Sequence, residues 1–320
     1  MKTLVTGGAG FIGSHLVDKL INEGNKVLVI DNLSAGRREN INPKAKFFKL
    51  DIRDFKRIKP LFKGIDFIFH LAAIPRVPLS VKDPILTSDV NILGTVNVFK
   101  AAADNKVKRV IFASSSSVYG NQKKLPLKEK TTPCPISPYG LQKLVAEQFA
   151  KLFTLLYNIP IVSLRYFNVF GPRIDFDSDY SLVIGKFLRL KKQGRPLTIF
   201  GDGNQTRGFC YVDDVVRATI MSAKSNKIKG GEIINIGSSD SQSVNYLAKI
   251  IGGKKKYLPV REGDVLHTKA DISLAKKILG WTPTVSFEEG IRRTIKWFDK
   301  KLKYSYGIRK YTNIRKAVEK

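Results

Sequence analysis

A tyrosine and a lysine stand four positions apart in the segment SPYGLQK, residues 137–143. Ser137 is a favourable helix N-cap and Pro138 suits the first helical position, so the segment predicts that Tyr139 and Lys143 share one face of a helix. A free phenol has a pKa near ~10, which is too high for a base at neutral pH. A neighbouring ammonium group and the positive end of a helix both favour the phenolate. Such a pair could therefore take a proton from a substrate hydroxyl.

Four serines end a predicted strand in the segment FASSSSVYG, residues 112–120. A hydroxyl at that point can orient the same substrate oxygen that the tyrosine would deprotonate. A tyrosine–lysine pair alone is weak evidence, because residues at i and i+4 share a face of every helix. The pair indicates catalysis only if other residues of the chain form a site together with it.

A glycine-rich turn lies between the first predicted strand and the first predicted helix, in LVTGGAGFIGSHL, residues 4–16. Gly7, Gly10 and Gly13 are three positions apart, and their missing side chains permit a tight turn. Backbone N–H groups can then reach a pyrophosphate at the helix N-terminus. The turn predicts a dinucleotide site.

The second predicted strand ends in Asp31, 18 residues after Gly13. A carboxylate there can bind the adenosine ribose 2′-hydroxyl and would repel a 2′-phosphate, which favours NAD over NADP. Arg37 and Arg38 are the counter-argument, since arginines near this position can accept the phosphate of NADP. We expect NAD.

The elements around these motifs alternate between short apolar runs and helical patterns. Strands rich in Val, Ile and Phe without alternation are typical of a parallel sheet covered by helices on both faces. The fold prediction is therefore α/β: a doubly wound parallel sheet of Rossmann type, followed by a smaller, loop-rich α+β region. The predicted strands are 2–7, 26–31, 45–51, 66–72, 108–114 and 160–166, and two of the predicted helices are Phe11 to Glu23 and Ile85 to Asn105.

Composition limits the function classes. The chain has 320 residues, with 56 Lys and Arg against 27 Asp and Glu, so its formal charge is +29. That charge attracts anions in general and does not select among metabolites, membranes and nucleic acid. Two cysteines and three scattered histidines argue against a disulfide framework and a zinc site. Since no apolar run approaches the length of a membrane span and no secretory signal is evident, we expect a cytoplasmic protein.

Taken in order along residues 2–298, the motifs resemble the extended short-chain dehydrogenase/reductases. They are most similar to the UDP-glucose 4-epimerases and their relatives that accept UDP-N-acetylglucosamine. The segments that carry the resemblance are TGGAGFIGSHL, DNLSAGRREN, HLAA, SSSSVYG, YGLQK, RYFNVFGPR, GDGNQTRGFCYVDDV and REGDVLHTKADIS. The resemblance implies an NAD-binding Rossmann domain over 1–167, completed by part of 208–240, and a mainly substrate-binding domain over 168–298.

The resemblance also assigns roles to residues. It makes Tyr139 the general base, Lys143 the residue that holds the nicotinamide ribose, and Ser115 the catalytic hydroxyl. The other cofactor contacts that it implies are Gly7, Gly10, Phe11, Ile12, Gly13, Asp31, Asn32, Ser34, Gly36, Asp51, Ile52, Leu71, Ala72, Ala73, Asn91, Ser114 and Tyr166. The substrate contacts that it implies, beside Ser115 and Tyr139, are Ser116, Asn168, Val183, Phe200, Arg207, Arg261, Asp264 and Thr268.

The expected reaction is inversion of C4 of a UDP-hexose through a 4-keto intermediate. Dehydratases and decarboxylases of the family carry acidic residues just after the catalytic hydroxyl, where this chain has Ser116 and Ser117. UDP-glucuronate epimerases share SSSSVYG but usually depart from the segment RYFN, so Asn168 disfavours this activity. Thr268 occupies the position of the sugar-pocket gate, where a small residue leaves room for an N-acetyl group. A sensor protein that binds NAD without turnover is the alternative from another class.

Two departures from the family pattern concern single positions. Leu141 and Gln142 fill the middle of the tyrosine motif, where neither is required for proton transfer, and Gly208 replaces an aspartate that usually follows the arginine. The resemblance further implies a homodimer. The basic extension 299–320 carries eight Lys and Arg and three tyrosines. We expect it to be a solvated end, with docking to anionic lipid as the alternative and no specific nucleic-acid partner.

Overall fold

The computed structural model describes residues 1–177, 182–260 and 265–301. Arg261, Asp264 and most of the predicted extension 299–320 lie outside the described residues. The strands are β1 (Lys2–Thr6), β2 (Lys26–Ile30), β3 (Lys46–Phe48), β4 (Phe67–His70), β5 (Arg109–Ser115), β6 (Ile161–Tyr166), β7 (Val169–Phe170), β8 (Leu197–Phe200), β9 (Thr206–Arg207), β10 (Cys210–Tyr211), β11 (Ile233–Ile236), β12 (Gln242–Ser243), β13 (Lys255–Leu258) and β14 (His267–Thr268).

The helices alternate with the first strands and continue to the end of the described chain. They are α1 (Phe11–Asn22), α2 (Phe55–Ile58), α3 (Val77–Lys82), α4 (Pro84–Ser88), α5 (Gly94–Asp104), α6 (Pro138–Tyr157), α7 (Val183–Lys192), α8 (Val212–Lys224), α9 (Val244–Ile251), α10 (Ser273–Leu279) and α11 (287–301). A π-helical turn, Asp89–Leu93, joins α4 to α5 and makes one continuous helical stretch.

A seven-stranded parallel sheet in the order β11-β6-β5-β4-β1-β2-β3 forms the centre of the fold. The chain runs outward from β1 in both directions, so the strand order reverses between β1 and β4. Ligands of such sheets bind outside the carboxyl ends of the strands at this switch point. The prediction of a doubly wound Rossmann-type sheet is confirmed.

Two apolar cores cover the two faces of this sheet. One contains Val98, Phe99 and Phe153 from α5 and α6, packed with strand residues such as Phe112. The other contains residues of α1 and α8 and continues into the smaller region after residue 167. Burial on both faces explains why the strands carry unbroken apolar runs instead of alternation.

Helix α6 begins where the sequence predicts, since the Ser137 hydroxyl accepts a hydrogen bond from the N–H of Gly140 at 3.2 Å. The apolar residues of the helical pattern predict that Leu141 and Leu152 pack against the core, but this prediction is wrong, because their side chains are 51% and 46% exposed. The buried face instead carries polar residues among small apolar ones. Its members are Tyr139, Gly140, Gln142, Lys143, Ala146, Glu147, Ala150 and Phe153.

The smaller region is built from short strands and helices. Strand β8 pairs with β13, and β9 lies between β12 and β14. Strand β11 returns to the large sheet beside β6, with Asn235 opposite Arg165. In the part of the chain that is described, no helix combines the length and the apolar character that crossing a membrane requires.

Candidate active site

A cavity of about 700 Å³ opens at the carboxyl ends of β1, β2, β4, β5 and β6. The cavity is continuous from the glycine turn to the serines and to helix α6. It brings together 21 of the residues that the sequence singles out. These are Gly7, Gly10, Phe11, Ile12, Gly13, Asp31, Asn32, Ser34, Gly36, Asp51, Ile52, Leu71, Ala72, Ala73, Ser114, Ser115, Ser116, Tyr139, Lys143, Tyr166 and Asn168.

The glycine turn fits a dinucleotide because side chains are excluded from it. Gly7 has φ of +73°, and a Cβ added there would lie 2.7 Å from the N atom of Ala72. At Gly13 an added Cβ would lie 2.1 Å from the carbonyl oxygen of Gly7. Helix α1 starts at this turn without a side-chain cap at Gly10, so its first N–H groups face the cavity lined by the turn. This is the cradle that a pyrophosphate needs.

Asp31 lies at the adenosine end of the predicted cofactor site. Its carboxylate accepts hydrogen bonds from the N–H groups of Ala9 at 3.0 Å and Leu33 at 2.8 Å. Burial raises the pKa of Asp31, and these two backbone hydrogen bonds oppose that rise. A Cβ at Gly36 would come within 2.9 Å of both carboxylate oxygens, so only glycine leaves this side of Asp31 open. The arrangement suits a ribose diol and disfavours a phosphate.

Arg37, the residue that could have accepted the 2′-phosphate of NADP, forms an ion pair within the protein. Its guanidinium forms an ion pair with Asp177 at 2.5 Å and stacks over the Phe176 ring at 5.8 Å. The neighbouring Asp51 is paired with Arg53 at 2.9 Å, and hydrogen bonds from Arg53 hold the pKa of Asp51 at about 2.

Tyr139, Lys143 and Ser115 converge at the other end of the cavity. The Ser115 hydroxyl lies close enough to the Tyr139 phenol to lower its pKa. The Nζ atom of Lys143 donates to the carbonyl oxygen of Ala113 at 2.8 Å and lies 5.9 Å from the centre of the Tyr139 ring. Both side chains are buried, with 8% of Tyr139 and 3% of Lys143 exposed. One hydroxyl, one phenol and one amine therefore surround the same space.

Burial controls the acidity of this group. It raises the pKa of Tyr139 to about 12, and the nearby Ser115 hydroxyl acts in the opposite direction. Burial also lowers the pKa of Lys143 to about 7, opposed by the negative charge of Glu147. The sequence led us to expect that the ammonium group lowers the tyrosine pKa. Among the protein's own groups the pKa of Tyr139 is instead raised by the loss of hydration, and the Ser115 hydroxyl is the group that opposes this rise.

A buried ion pair lies directly behind the lysine. Glu147 accepts two hydrogen bonds from Arg165, at 2.9 Å and 2.7 Å, and one from the Ser114 hydroxyl at 2.5 Å. The two charged side chains are 0% and 1% exposed. The Tyr119 ring covers the Arg165 guanidinium at 4.5 Å. Such a pair is tolerated because its hydrogen bonds are satisfied on both sides.

Asn168 connects the cavity to the smaller region. Its amide donates to the Thr268 hydroxyl at 2.9 Å, and its φ of 36° is a left-handed conformation that asparagine tolerates. Gly208 bonds through its main chain, with its N–H donating to the carbonyl oxygen of Thr268 at 2.8 Å. The loop around Gly208 therefore uses backbone hydrogen bonds where a side chain is usual in the family.

Five predicted residues stand outside the lining of this cavity as the described part of the chain defines it. Asn91 is fully buried in the π-helical turn, with its side-chain amide bonded to the main chain of Ile74. Val183 starts α7 and packs against the core, and Phe200 ends β8 beneath the Nζ atom of Lys186. Arg207 donates to the carbonyl oxygen of Leu266, and Thr268 pairs with Arg207 in the β9–β14 ladder.

The structure adds lining residues that the sequence did not indicate. The wall after β4 includes Ile74, Pro75, Arg76 and Val77, and the segment after β7 includes Arg173, Ile174, Asp175 and Asp177. Arg76 forms an ion pair with Asp175, and Arg173 forms one with Asp18 at 2.7 Å. The mixture of charges in GPRIDFD is a signal for such a segment, but its partners are distant in the sequence.

Comparison with known proteins agrees with this geometry. The model of the NAD dependent epimerase/dehydratase family matches residues 3–237. The chain is 38% identical to the UDP-glucuronate 4-epimerase of Thermodesulfobacterium geofontis, over 92% of this chain and 95% of the relative.

Two solved structures are similar over nearly the whole chain. The UDP-glucose 4-epimerase of Thermotoga maritima, solved with UDP-glucose, has a TM-score of 0.89 at 40% identity, covering 94% of this chain and 100% of that one. The UDP-N-acetylglucosamine 4-epimerase of Methanobrevibacter ruminantium, in complex with UDP-N-acetylmuramic acid, has a TM-score of 0.89 at 41% identity, with coverages of 94% and 98%. The chain belongs to the NAD-dependent epimerase/dehydratase family of extended short-chain dehydrogenase/reductases, as an enzyme that acts on nucleotide sugars.

Proposed function

We propose that this enzyme inverts C4 of a UDP-hexose, interconverting UDP-glucose and UDP-galactose, and that it also accepts the N-acetylated pair. The observation that carries the proposal is the convergence of Tyr139, Lys143 and Ser115 at one end of a cavity whose other end is the glycine turn. This convergence allows one substrate carbon to meet both a proton acceptor and the reactive end of a dinucleotide.

Tyr139 takes the proton of the sugar 4-hydroxyl, and the Ser115 hydroxyl orients the same oxygen. Bound NAD would accept the hydride from C4 and return it, and the positive charge of its nicotinamide ring would favour the phenolate of Tyr139. Lys143 is positioned by Ala113 to bind the nicotinamide ribose. After the 4-keto sugar has turned within the cavity, the opposite face of C4 would receive the hydride, and Tyr139 returns the proton to the 4-oxygen.

The residues beside Ser115 favour epimerisation over elimination or decarboxylation. Ser116 and Ser117, which line the cavity at this point, offer hydroxyl groups and no further acid or base. The carboxylates that line the described part of the cavity lie away from these serines. Asp31 and Asp51 lie at the predicted adenosine end, and Asp175 and Asp177 form ion pairs with arginines.

Thr268 is the basis for the wider sugar specificity. Its side chain is small and is bonded to Asn168, so the gate position carries no aromatic ring that would fill the space of an N-acetyl group. Arg207 and Arg261 are proposed to bind the diphosphate, for which forked guanidinium groups are suited. Phe200, Val183 and Asp264 stay proposals for contacts with the nucleoside.

A UDP-glucuronate 4-epimerase is the second candidate. Three adjacent hydroxyls, those of Ser115, Ser116 and Ser117, line the cavity and could bind a carboxylate at C6. A cytoplasmic location remains a prediction from the sequence, and a role in galactose metabolism would follow from the proposed substrates.

We further propose a homodimer formed through α5 and α6. Large apolar side chains are exposed on α6, at Leu155 (78%) and Leu156 (64%), and on the helical stretch that leads into α5, at Ile85 (83%) and Leu93 (58%). Large exposed apolar side chains mark an interaction surface, and a second copy of the same helices would cover them.

The test is product identification. The purified chain is incubated separately with UDP-glucose, UDP-galactose, UDP-N-acetylglucosamine and UDP-glucuronate, and each nucleotide sugar is identified by chromatography. We expect conversion of the first three, each to its C4 epimer. Conversion of UDP-glucuronate alone would replace the proposal by the second candidate, and binding of all four sugars without turnover would refute both.

A further inference from the structure

Gln142 lies on α6 between the catalytic tyrosine and lysine, and its side chain is 2% exposed. Its Nε2 atom donates to the hydroxyls of Thr87 at 2.9 Å and Ser88 at 3.1 Å. Its Oε1 atom accepts from the Nδ2 atom of Asn91 at 2.8 Å. The amide is thus fully hydrogen-bonded to the helical stretch formed by α4 and the π-helical turn.

Asn91 carries this connection on to the cavity wall. Its Oδ1 atom accepts from the N–H of Ile74 at 2.8 Å, and its Nδ2 atom donates to the carbonyl oxygen of the same residue at 3.1 Å. Its own main-chain carbonyl accepts from the Thr95 hydroxyl at 2.8 Å. All hydrogen-bonding groups of the Asn91 side chain are therefore used inside the protein.

The segment held in this way is part of the site. Residues 74–77 line the cavity directly after Ala72 and Ala73. A second link fastens the same segment to α6, because the N–H of Tyr139 donates to the Ser80 hydroxyl at 3.1 Å, which in turn donates to the carbonyl oxygen of Val77 at 2.7 Å. The wall is tied to the catalytic helix at both of its ends.

We infer that Gln142 is a positioning residue, which acts through Asn91 to hold the cavity wall 74–77 at a fixed distance from Tyr139 and Lys143. Buried polar networks in which every group is satisfied make a structure rigid, whereas one missing partner leaves a buried amide unpaired. A π-helical turn opens the regular helix at Asn91, which lets the amide reach both Gln142 and Ile74.

The position of the wall 74–77 matters when the sugar rotates in the cavity. The inference rests on the proposed epimerase reaction, in which a 4-keto sugar must rotate without leaving. A wall that moves relative to Tyr139 would leave the rotated sugar misaligned, and a displacement of about 1 Å can lower a rate by up to about a hundredfold. Binding of the nucleotide part, which involves other elements, would change little.

The test compares the NAD-loaded chain with Gln142→Leu, which keeps most of the volume and removes all three hydrogen bonds. The matched control is Asn105→Ala. It removes two amide hydrogen bonds, to Ala101 and Lys59, at the far end of α5. Hydrogen exchange of peptides covering 74–80 is measured together with kcat, KM and the fraction of bound cofactor that accumulates as NADH during turnover.

We expect Gln142→Leu to exchange faster over 74–80, to lose about tenfold to a hundredfold in kcat with little change in KM, and to accumulate NADH. The control should match the parent in all four measurements. Exchange over 74–80 like that of the parent, or a kcat equal to that of the control, would overturn the inference. If Gln142→Leu does not fold, Gln142→Asn, whose amide is one methylene shorter, is judged by the same criteria. If the parent does not turn over UDP-hexoses, the proposed function fails, while the exchange measurement still decides whether Gln142 holds the wall.

Discussion

Replacing Lys143 by methionine should change how the stability of the protein depends on pH. Burial lowers the pKa of Lys143 from 10.5 to about 7 on folding. Between these two values the unfolded chain binds a proton that the folded chain does not. The free energy of unfolding therefore rises with pH in this window, and the contribution of Lys143 becomes constant below about pH 7, where both states are protonated.

The size of the effect follows from the two pKa values. One proton of difference between the folded and unfolded states changes the free energy of unfolding by about 1.4 kcal/mol per pH unit. Because the folded lysine is still half protonated near pH 7, the gain between pH 7 and pH 9 amounts to about 2 kcal/mol. Burial raises the pKa of Tyr139 to about 12, so its opposite contribution begins only above pH 10.

The measurement is urea unfolding of protein freed of nucleotide, since bound nucleotide would add stability by mass action. The parent and Lys143→Met are compared at pH 7, 8 and 9, and groups common to both cancel in the difference. Lys151→Met, on the exposed side of the same helix, is the matched control. The parent-minus-Lys143→Met difference should grow by about 2 kcal/mol. A difference that stays flat over this range would refute the assignment of a buried, largely neutral lysine.

Three further perturbations test the site and the proposed assembly. Tyr139→Phe should lower kcat by about 10²–10⁴-fold in a steady-state assay. The control Tyr157→Phe, at the far end of α6, should keep the parent rate. A Tyr139→Phe rate within about tenfold of the parent would contradict the role of the phenol. Gly13→Ala places a Cβ 2.1 Å from the carbonyl oxygen of Gly7, so NAD binding measured by calorimetry should be lost, and an unchanged Kd would show that the turn does not hold the cofactor. Leu155→Glu puts a charge on the exposed apolar face of α6, so light scattering should give the mass of a monomer under conditions that keep the parent dimeric. If the variant has the mass of the parent under those conditions, this face is not the interface.

The sequence predicts the sheet well because its strands are buried on both faces. Unbroken apolar runs bounded by glycine and polar residues place all six predicted strands within one to three residues of β1 to β6. The start of α6 is equally local, since Ser137 and Pro138 determine it through N-cap chemistry. The glycine turn follows from the same kind of local constraint, because Gly7 and Gly13 leave no room for a side chain.

The buried face of α6 could not be predicted from periodicity. The rule that apolar residues mark the buried face of a helix selects Leu141 and Leu152, which are exposed, and overlooks Gln142 and Glu147, which are buried. The rule fails here because partners distant in sequence, Asn91 and Arg165, satisfy the polar groups. The same reason explains the acidity of Tyr139: its spacing from Lys143 is visible in the sequence, but the loss of hydration that raises its pKa depends on tertiary packing.

The spacing of the tyrosine motif has a structural cause in the way α6 lies along β5. Three successive residues of the strand each face one residue of the helix: Ser115 lies beside Tyr139, the carbonyl oxygen of Ala113 accepts from Lys143, and Ser114 donates to Glu147. Residues four apart on a helix lie on one face, about 6 Å apart along the axis. Successive strand residues alternate between the two sides of the pleat, so the Ser114 hydroxyl can donate to the buried carboxylate of Glu147 while the Ser115 hydroxyl remains beside Tyr139. The tyrosine, the lysine and the glutamate therefore act on the strand end as one unit, and the four-residue spacing is what allows a single helix to hold the serine, the phenol and the amine in place.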